Sequence, residues 1–319
     1  MKLIDFTQTF KDEVSCVSHL RSLREKEGVV CPKCGGKHHY WDKYNKCWIC
    51  SGCNHKTTLT SGTMFHGSKL PLMYWFTAIH LLTSTKKTFS ALEIQRQLGH
   101  KRYQPIWEMV HKIRSVMGLR DEKYKVSGTA EIDEAFFTTE KEPEDKDQPL
   151  KRGVGSQRKA KVLVMVESEE VNQEKKYKKN RACGHLKMKV IEDLQAETIT
   201  EKVKELADEK AELISDATSS HAGLDEAVAK VTKQVIKPKD GHKVLPWVHT
   251  AISNAKSLFL DMYHGVKKEF LQYYLDEFCY KFNRRTFDDR VFDRVLLAAV
   301  GYRPTFEHRA YRNQSPLNG

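Results

Sequence analysis

The sequence has no apolar run long enough to cross a membrane. The longest conspicuous run is VLLAAV (295–300), whereas a membrane-spanning helix needs roughly 18 apolar residues. The first ten residues, MKLIDFTQTF, contain no apolar stretch and include an acid at Asp5, so they do not have the composition of a secretory signal. These absences argue against a membrane or secreted protein, and we expect a soluble cytoplasmic protein without a membrane partner.

Acidic residues are scarce in the first third of the chain. Residues 1–118 contain 18 Lys and Arg against 8 Asp and Glu, whereas residues 119–319 contain 36 against 34. Nearly all of the formal charge of +12 therefore lies in the N-terminal part. This asymmetry is typical of a polyanion-binding module joined to a more neutral body, although a basic surface that serves only solubility is the simpler alternative. The length of 319 residues suggests about two domains.

Few cysteines lie outside one short segment, because five of the eight fall within residues 31–53. Two Cys-x-x-Cys pairs, Cys31/Cys34 and Cys50/Cys53, have the spacing of a zinc ribbon. Four thiolates leave Zn²⁺ no open position, so we expect one structural ion. Gly35 and Gly52 should give the two turns their backbone freedom. Three alternatives remain. Cys47 could pair with Cys50 instead of Cys53, or a histidine could replace one cysteine ligand; the candidates are His38, His39 and His55. The cysteines could also be redox-active or form disulfides, which an intracellular location disfavours.

Two helical patterns follow the cysteine segment. PLMYWFTAIHLLT (71–83) is typical of a helix that opens at Pro71. In residues 88–118, Ser90 and Glu93 have capping-box spacing, and Gly99 separates two helical stretches. This arrangement indicates a helix-turn-helix, although many helix pairs with this pattern do not bind DNA. The expected DNA contacts are Lys101, Arg102, Lys112 and Arg114.

The pattern changes after about residue 126 to strands at 130–137, 161–168, 184–193, 211–217 and 231–237, with helical stretches near 197–210 and from 249. These elements predict a mixed α/β sheet. Asp133 lies in the first strand and Asp216 closes the fourth. If these strands are neighbours, the two carboxylates converge at one edge and can hold a divalent metal such as Mg²⁺. The simpler alternative is that each Asp is an ordinary strand-end residue.

Six stretches of the chain, in order, are CPKCGG, SGTMFHGSKLPLMYWFTAIHLL, IDEAFF, LISDA, WVHTAISNAKS and YLDEFCYKFNRR. Together they resemble the bacterial insertion-sequence transposases of the ISXO-like group, over nearly the whole chain. The resemblance implies an α/β protein whose RNase H-like, mixed-sheet catalytic domain follows a small zinc ribbon and a helix-turn-helix-like segment. It also implies DDE-type chemistry with two Mg²⁺ or Mn²⁺ ions.

The same resemblance implies that Asp133, Asp216 and Asn254 form the metal-binding trio. Asn254 stands where much of the superfamily has Glu. Because its carbonyl oxygen is neutral, the site should bind metal more weakly than a site with Glu, or accept different ions. Lys256 is expected to contact phosphate near the scissile bond, the alternative being a solvated helix lysine. Glu277 is an alternative third metal ligand, although a structural role for Glu277 near residues 283–285 is favoured.

Two neighbours of these residues have more modest expected roles. Glu134 should point to the opposite face of the strand from Asp133 if the strand is regular. His249 either orients the site or packs, and we do not assign it a catalytic role.

Two basic stretches of the second domain could follow the DNA backbone. KRGVGSQRKAK (151–161) contains five Lys and Arg and no acid. KKYKKNR (175–181) contains five more around Tyr177 and is typical of a hairpin tip. Solvated loops are the ordinary alternative, and they are equally favoured for the second stretch. The expected DNA contacts in the first stretch are Lys151, Arg152, Arg158 and Lys159.

We therefore expect four parts: a ribbon segment (1–67), a helix-turn-helix-like segment (68–120), a catalytic domain (121–286), and a C-terminal helix and tail (287–319). The expected function is transposition: binding of double-stranded DNA at the element ends and in the target, by a homodimer or higher oligomer, with nucleoid association when bound. The C-terminal helix either packs in the core of the protein or forms a dimer interface, and the first alternative is favoured. The alternative functions are a catalytically decayed, DNA-binding regulator and a nuclease without strand transfer.

Overall fold

The computed structural model describes residues 1–142, 147–151, 153–170, 181–234, 244–263 and 265–306. The chain divides into two units. The first contains Met1–Arg120 and Phe287–Gly319, and the second contains Asp121–Thr286. The second unit coincides with the expected catalytic domain. The C-terminal part, expected as a separate segment, instead belongs to the same unit as residues 1–120, so the second unit is an insertion within the first.

The first unit combines helices with a small three-stranded antiparallel sheet in the order β1-β2-β3. None of the helices in the described parts of the chain is long and apolar enough to span a membrane. Its elements are α1 (Leu3–Thr9), α2 (Glu13–Glu27), β1 (His39–Asp42), β2 (Cys47–Cys50), β3 (Lys56–Thr58), α3 (Leu72–Ser84), α4 (Ala91–Leu98), α5 (Tyr103–Glu122) and α9 (Val291–Gly301).

The C-terminal helix α9 completes the core of the first unit. The ring of Phe292 lies 5.7 Å from those of Phe6 and Phe10 and 6.3 Å from that of Phe76 on α3. Four of the six residues of the VLLAAV run are buried too: Val295, Leu296, Ala298 and Ala299. The favoured expectation, that this helix is ordinary core, is confirmed.

Helices α4 and α5 form the expected helix-turn-helix pair. The Ser90 hydroxyl accepts the backbone N–H of Glu93 at 3.1 Å, which caps the start of α4. Gly99 ends α4 in the left-handed region, with φ +63°, where a residue without a Cβ is favoured. Four residues, 99–102, therefore join the two helices.

The second unit contains a five-stranded mixed sheet in the order β6-β5-β4-β7-β8. Strands β4, β5 and β6 are antiparallel neighbours, whereas β7 is parallel to β4 and β8 is parallel to β7. Numbered within the sheet, this order is 3-2-1-4-5, the RNase H-like arrangement. The elements are β4 (Thr129–Thr138), β5 (Lys159–Glu170), β6 (Arg181–Ile191), α6 (Ala196–Leu206), β7 (Glu212–Asp216), β8 (Lys230–Gln234), α7 (Pro246–Met262) and α8 (Leu271–Asn283).

Helices cover both faces of this sheet. Because side chains alternate along a strand, Ala130 and Ile132 of β4 pack with α6, whereas Ala135 and Phe137 pack with α7 and α8. The same alternation sets Asp133 on the α7 face. A three-layer α/β/α unit follows, with both faces of the central strand buried.

The observed strands match the expected ones closely, and α7 begins three residues before the predicted start. The end of the fifth predicted strand (235–237) lies outside the described residues. So does most of the predicted hairpin tip, although β5 and β6 are antiparallel neighbours as a hairpin requires.

The YKFNRR stretch holds α8 against the sheet. Asn283 accepts the backbone N–H of Leu186 in β6 at 2.7 Å and donates to Asp121 at 3.0 Å. Arg284, which is buried, forms an ion pair with Asp121 at 2.6 Å. These contacts connect the two ends of the second unit, so this stretch has a structural role.

Truncation of Phe292 should destabilise the first unit. Phe→Ala at a buried site typically costs about 3–5 kcal/mol, so Phe292→Ala should lower the urea midpoint of this unit in circular dichroism. Val14→Ala is the control, because Val14 is 73% exposed in the same unit. A midpoint unchanged by Phe292→Ala would contradict the packing of α9 described above.

The stability of the second unit should depend on the ionisation of Asp276. Burial raises the pKa of Asp276 from 3.8 to about 7, so the folded state holds this proton more tightly than the unfolded chain. Ionisation should therefore lower the free energy of unfolding progressively as pH rises from about 4 to about 7. Asp276→Asn cannot ionise, and its stability relative to the wild type should increase over this interval.

Urea unfolding at about pH 4 and about pH 8 measures this difference. Glu209→Gln is the charge-matched control at an exposed position of the same unit. An Asp276→Asn effect that is the same at both pH values would refute the expectation.

Candidate functional site

The four cysteines of the ribbon lie on two similar turns. The carbonyl of Cys31 accepts the N–H of Gly35, and that of Cys50 accepts the N–H of Asn54, each at 2.9 Å. Gly35 and Asn54 have positive φ, +71° and +56°. The expectation for Gly52 was therefore wrong, because the residue that needs left-handed freedom is the fourth after the first cysteine of each pair.

These turns bring four sulfur atoms together. The Sγ atoms of Cys31, Cys34, Cys50 and Cys53 all lie within 4.8 Å of one another, and tetrahedral Zn²⁺ with Zn–S near 2.3 Å requires S–S distances of about 3.8 Å. The cluster therefore fits one zinc ion. Neither Cys47 nor a nearby histidine belongs to it, so the Cys50/Cys53 register is the correct one.

Two tryptophans join the ribbon to α2. The guanidinium of Arg21 lies 4.7 Å from the centre of the Trp41 ring, and that of Arg24 lies 4.9 Å from Trp48. Trp48 also donates its indole N–H to Glu25 at 3.2 Å. Cation–π contacts of this kind hold the sheet of the ribbon against a helix of the same unit.

The two aspartates of the second unit lie side by side. In the β4–β7 ladder, Glu131 is opposite Ile214, and continuing this register by two residues sets Asp133 opposite Asp216. Both side chains project on the α7 face of the sheet, and they are 19% and 29% exposed. The two strands are neighbours, as the sequence analysis assumed, and the joint metal-binding role of the two aspartates stays a prediction.

His221 connects Asp216 with Glu134. Its Nδ1 atom lies 3.0 Å from Asp216 and its Nε2 atom 3.3 Å from Glu134, and the side chain is fully buried. Burial opposes protonation, but the two carboxylates outweigh it and raise the pKa of His221. Thr218 and Ser220 donate to Asp216 and Glu134, both at 2.8 Å.

Glu134 contacts this turn, whereas Asp133 faces α7, so the predicted opposite orientation of these two side chains is correct. His249 of α7 lies 3.5 Å from Asp133. Burial, together with repulsion from Glu134 and Asp216, raises the pKa of Asp133 to about 6. A carboxyl group under such repulsion is suited to a cation that neutralises it.

The donor chemistry of Asp133 and Asp216, two hard carboxylates on adjacent strands, fits Mg²⁺ or Mn²⁺. Within the described residues, no third His, Cys, Asp or Glu joins them in a group compact enough for one ion. Glu277 is not that third ligand, because it is buried on α8 near Lys281, and α8 packs on β6, two strands away from β4.

Asn254 lies on a different side of α7 from His249. At 100° per residue, five residues amount to about 140° around the helix axis, and Asn254 is exposed. The metal role of Asn254 stays a prediction. Lys256 does share the side of His249, two turns and about 10 Å further along.

A buried glutamate, which the sequence analysis did not single out, fixes the start of α7. The carboxylate of Glu131 accepts the backbone N–H groups of Trp247 at 2.7 Å and Val248 at 2.8 Å, and Ser168 donates to it at 2.5 Å. These are N–H groups of the first helical turn, which have no partner within the helix. Glu131 therefore determines where α7 begins relative to β4.

The basic residues expected to contact DNA fall into three groups. Lys101 and Arg102 are exposed in the α4–α5 turn, and Lys112 is half-buried on α5. Arg114 is 1% exposed, so it lies in the core of the unit and its expected contact is corrected. At the end of the sheet, Lys151, Arg158 and Lys159 are exposed, and Arg152 lies outside the described residues.

Residues 125–283 match the family model of the ISXO2-like transposase domain. The second unit is therefore similar to ISXO2-like transposase domains over most of its length. A relative from Halobacterium salinarum (strain ATCC 700922 / JCM 11081 / NRC-1), described as an uncharacterized protein in transposable element ISH50, is 24% identical over 293 residues. The match covers 85% of this chain and 91% of the relative. Together these similarities support an insertion-sequence transposase, whereas the expected bacterial origin stays a prediction because this relative is archaeal.

Two solved structures show weaker similarity. The Mos1 strand transfer complex matches with a TM-score of 0.29 and 13% identity, over 73% of this chain and 79% of that one. A pre-cleavage Mos1 transpososome matches with a TM-score of 0.27 and 12% identity, over 68% and 75%.

Loss of one ribbon thiolate should release the zinc. Cys34→Ser removes one of four ligands and should lower the zinc content of the purified protein well below one ion per chain. Cys47→Ala, which changes a nearby cysteine outside the cluster, should retain one ion. Elemental analysis by mass spectrometry measures both, and zinc loss in Cys47→Ala alone would contradict the ligand set.

Proposed function

We propose that this protein is a DNA transposase that binds the terminal inverted repeats of its own insertion sequence. It cleaves the DNA at the element ends and joins these ends to target DNA in a metal-dependent reaction. The observation that carries this proposal is that Asp133 and Asp216 lie on neighbouring parallel strands, within the residues that match the ISXO2-like transposase domain.

The metal ligands would be Asp133 and Asp216, with Asn254 as the expected third position. Two bound Mg²⁺ or Mn²⁺ ions would supply electrostatic stabilisation of the reacting phosphodiester and activation of the attacking oxygen. The hydrogen bond from Thr218 and the contact with His221 hold the Asp216 carboxylate in one orientation. A fixed carboxylate favours in-line displacement, because this reaction depends on the positions of the reacting groups.

Basic residues of the second unit would bind the DNA backbone near this edge. Lys159 pairs with Thr138 at the carboxyl end of β4, five residues and about 17 Å beyond Asp133. Arg158 and Lys151 are exposed in the same connection. Lys256, on the Asp133 side of α7, would contact a phosphate closer to the scissile bond. Such contacts give affinity without base specificity.

The reaction consists of two displacements at phosphorus. Water first attacks the phosphodiester at the element end, breaking the P–O3′ bond and leaving a 3′-hydroxyl on the element. This hydroxyl then attacks a phosphodiester of the target, forming a new P–O3′ bond as the target strand leaves through its own 3′-oxygen. No covalent bond to the protein is needed, and joining two ends together requires at least a dimer.

The first unit would recognise the element ends. The first turn of α5 presents Tyr103 and Gln104, both exposed, and base contacts in helix-turn-helix proteins come from the N-terminal residues of the second helix. The ribbon adds five exposed lysines and one acid between residues 28 and 67. We therefore assign base recognition to α5 and additional phosphate contacts to the ribbon.

A catalytically decayed, DNA-binding regulator is the second candidate. Asn254 favours it, because a neutral amide oxygen binds a divalent cation less strongly than a carboxylate does. The paired aspartates favour the enzyme, and metal-dependent cleavage separates the two candidates.

Asp216→Ala should abolish strand joining. We would incubate the full chain with a pre-cleaved element end, a target plasmid and Mg²⁺ or Mn²⁺, and measure joined product on a gel. The variant removes one of two metal-binding carboxylates, so the wild type should join and the variant should not. Asp225→Ala, an exposed acid in the connection that follows β7, is the control and should join normally.

If the wild type binds element ends without joining them, with either metal and with host extract added, that result would refute the transposase proposal and favour the DNA-binding regulator. Cleavage without joining would point to a nuclease. Joining by Asp216→Ala would overturn the assigned site.

A further inference from the structure

A groove in the first unit is lined by four parts of the chain. These are the segment 66–70, the first turn of α3 with Tyr74 and Trp75, the α4–α5 turn with the first half of α5, and the segment 303–306. Its lining contains five Lys and Arg side chains: Lys69, Lys101, Arg102, Lys112 and Arg303. The only acid in the lining is Glu108, which accepts a hydrogen bond from Gln104 at 3.0 Å. The groove is therefore strongly cationic.

The segment 303–306 is held in place by contacts with α5. The backbone N–H of Thr305 donates to the Ser115 hydroxyl at 2.9 Å, and the two hydroxyls lie 3.0 Å apart. Phe306 is buried, with its ring 5.5 Å from that of Trp107 and 5.1 Å from that of His111. Arg303, which is exposed, is thereby fixed beside a helix that precedes it by about 190 residues.

The floor of the groove is apolar and built from buried side chains. Trp75, Met109 and Phe306 are each 3% exposed or less. The indole N–H of Trp75 donates to Ser68 at 3.2 Å, which holds the 66–70 segment against α3. A fixed floor with cations contributed by several segments offers several points of contact to an extended anion.

We propose that this groove binds the phosphate backbone of duplex DNA beside the first turn of α5, and that Arg303 is one of its phosphate contacts. The inference rests on the proposed function and extends it, because the C-terminal segment then belongs to the DNA-binding surface. Charge complementarity selects the ligand: five cations on three segments match a chain of phosphates rather than a single small anion. Phosphate contacts on both sides of a recognition helix fix its register on the duplex.

The test compares Arg303→Gln with Arg294→Gln in the full chain. Arg294 is the matched control, because it is an exposed arginine of α9 in the same unit and outside the groove. Fluorescence anisotropy would measure the binding of an element-end duplex and of an unrelated duplex of equal length across a range of salt concentrations. Arg303→Gln should weaken binding of both duplexes severalfold and reduce the slope of log K against log salt by about 1.

A second variant separates charge from position. Ser115→Ala keeps every cation but removes the partner of Thr305, so the 303–306 segment keeps only the packing of Phe306. It should also weaken binding of both duplexes, and the further change Arg303→Gln should cost less than it does in the wild type. Circular dichroism would confirm that each variant is folded.

If the wild type binds DNA and Arg303→Gln binds with the same affinity and the same salt slope, this inference is overturned and the proposed function stays intact. A loss confined to the element-end duplex would overturn the phosphate contact in favour of a base contact. Failure of the wild type to bind either duplex would overturn the inference together with the proposed function, and binding of an acidic polypeptide instead would identify a protein ligand.

Discussion

The position of α7 against the sheet of the second unit depends on one buried carboxylate. Glu131 is fully buried, and a charge in that position is tolerated only with several hydrogen-bond donors. Three donors satisfy it: the hydroxyl of Ser168 and two N–H groups at the start of α7. The helix dipole adds to this stabilisation, because the positive end of α7 meets a negative group. Since Asp133 follows Glu131 by two residues on the same face, one interaction aligns the helix with the acidic pair.

Much of this fold could be predicted from the sequence, because its signals are local. Continuous apolar runs predicted the central strands, and the spacing of Cys-x-x-Cys predicted the ribbon ligands. The pairing of Asp133 with Asp216 needed only the assumption that their strands are neighbours. Glu131 and His221 could not be found in this way, because Trp247 lies 116 residues from Glu131 and Glu134 lies 87 residues from His221. Arg114 could have been placed correctly: it follows Val110 by one helical turn and so lies on the apolar side of α5.

The two candidate metal centres differ in what the protein supplies. The ribbon supplies four ligands, and its turns are closed by backbone hydrogen bonds, so the ion would complete a structure. At the sheet edge, the protein supplies two carboxylates on rigid strands and leaves space around them. An ion there would keep coordination positions for water and phosphate oxygens. Burial, and then repulsion from Glu134 and Asp216, raises the pKa of Asp133, and a bound cation would offset that repulsion. One chain thus combines a closed site with an open one.

The insertion of the second unit into the first has a consequence for biosynthesis. The ribosome delivers residues 1–120 first, yet the core of their unit needs α9, which emerges only after all of residues 121–286. The inserted sheet contains all of its own strands and can fold while the earlier helices still lack Phe292. The core of the first unit would therefore be completed last, when the sheet that carries the two aspartates is already formed. A chain that ends prematurely after the sheet would have both aspartates but an incomplete first unit.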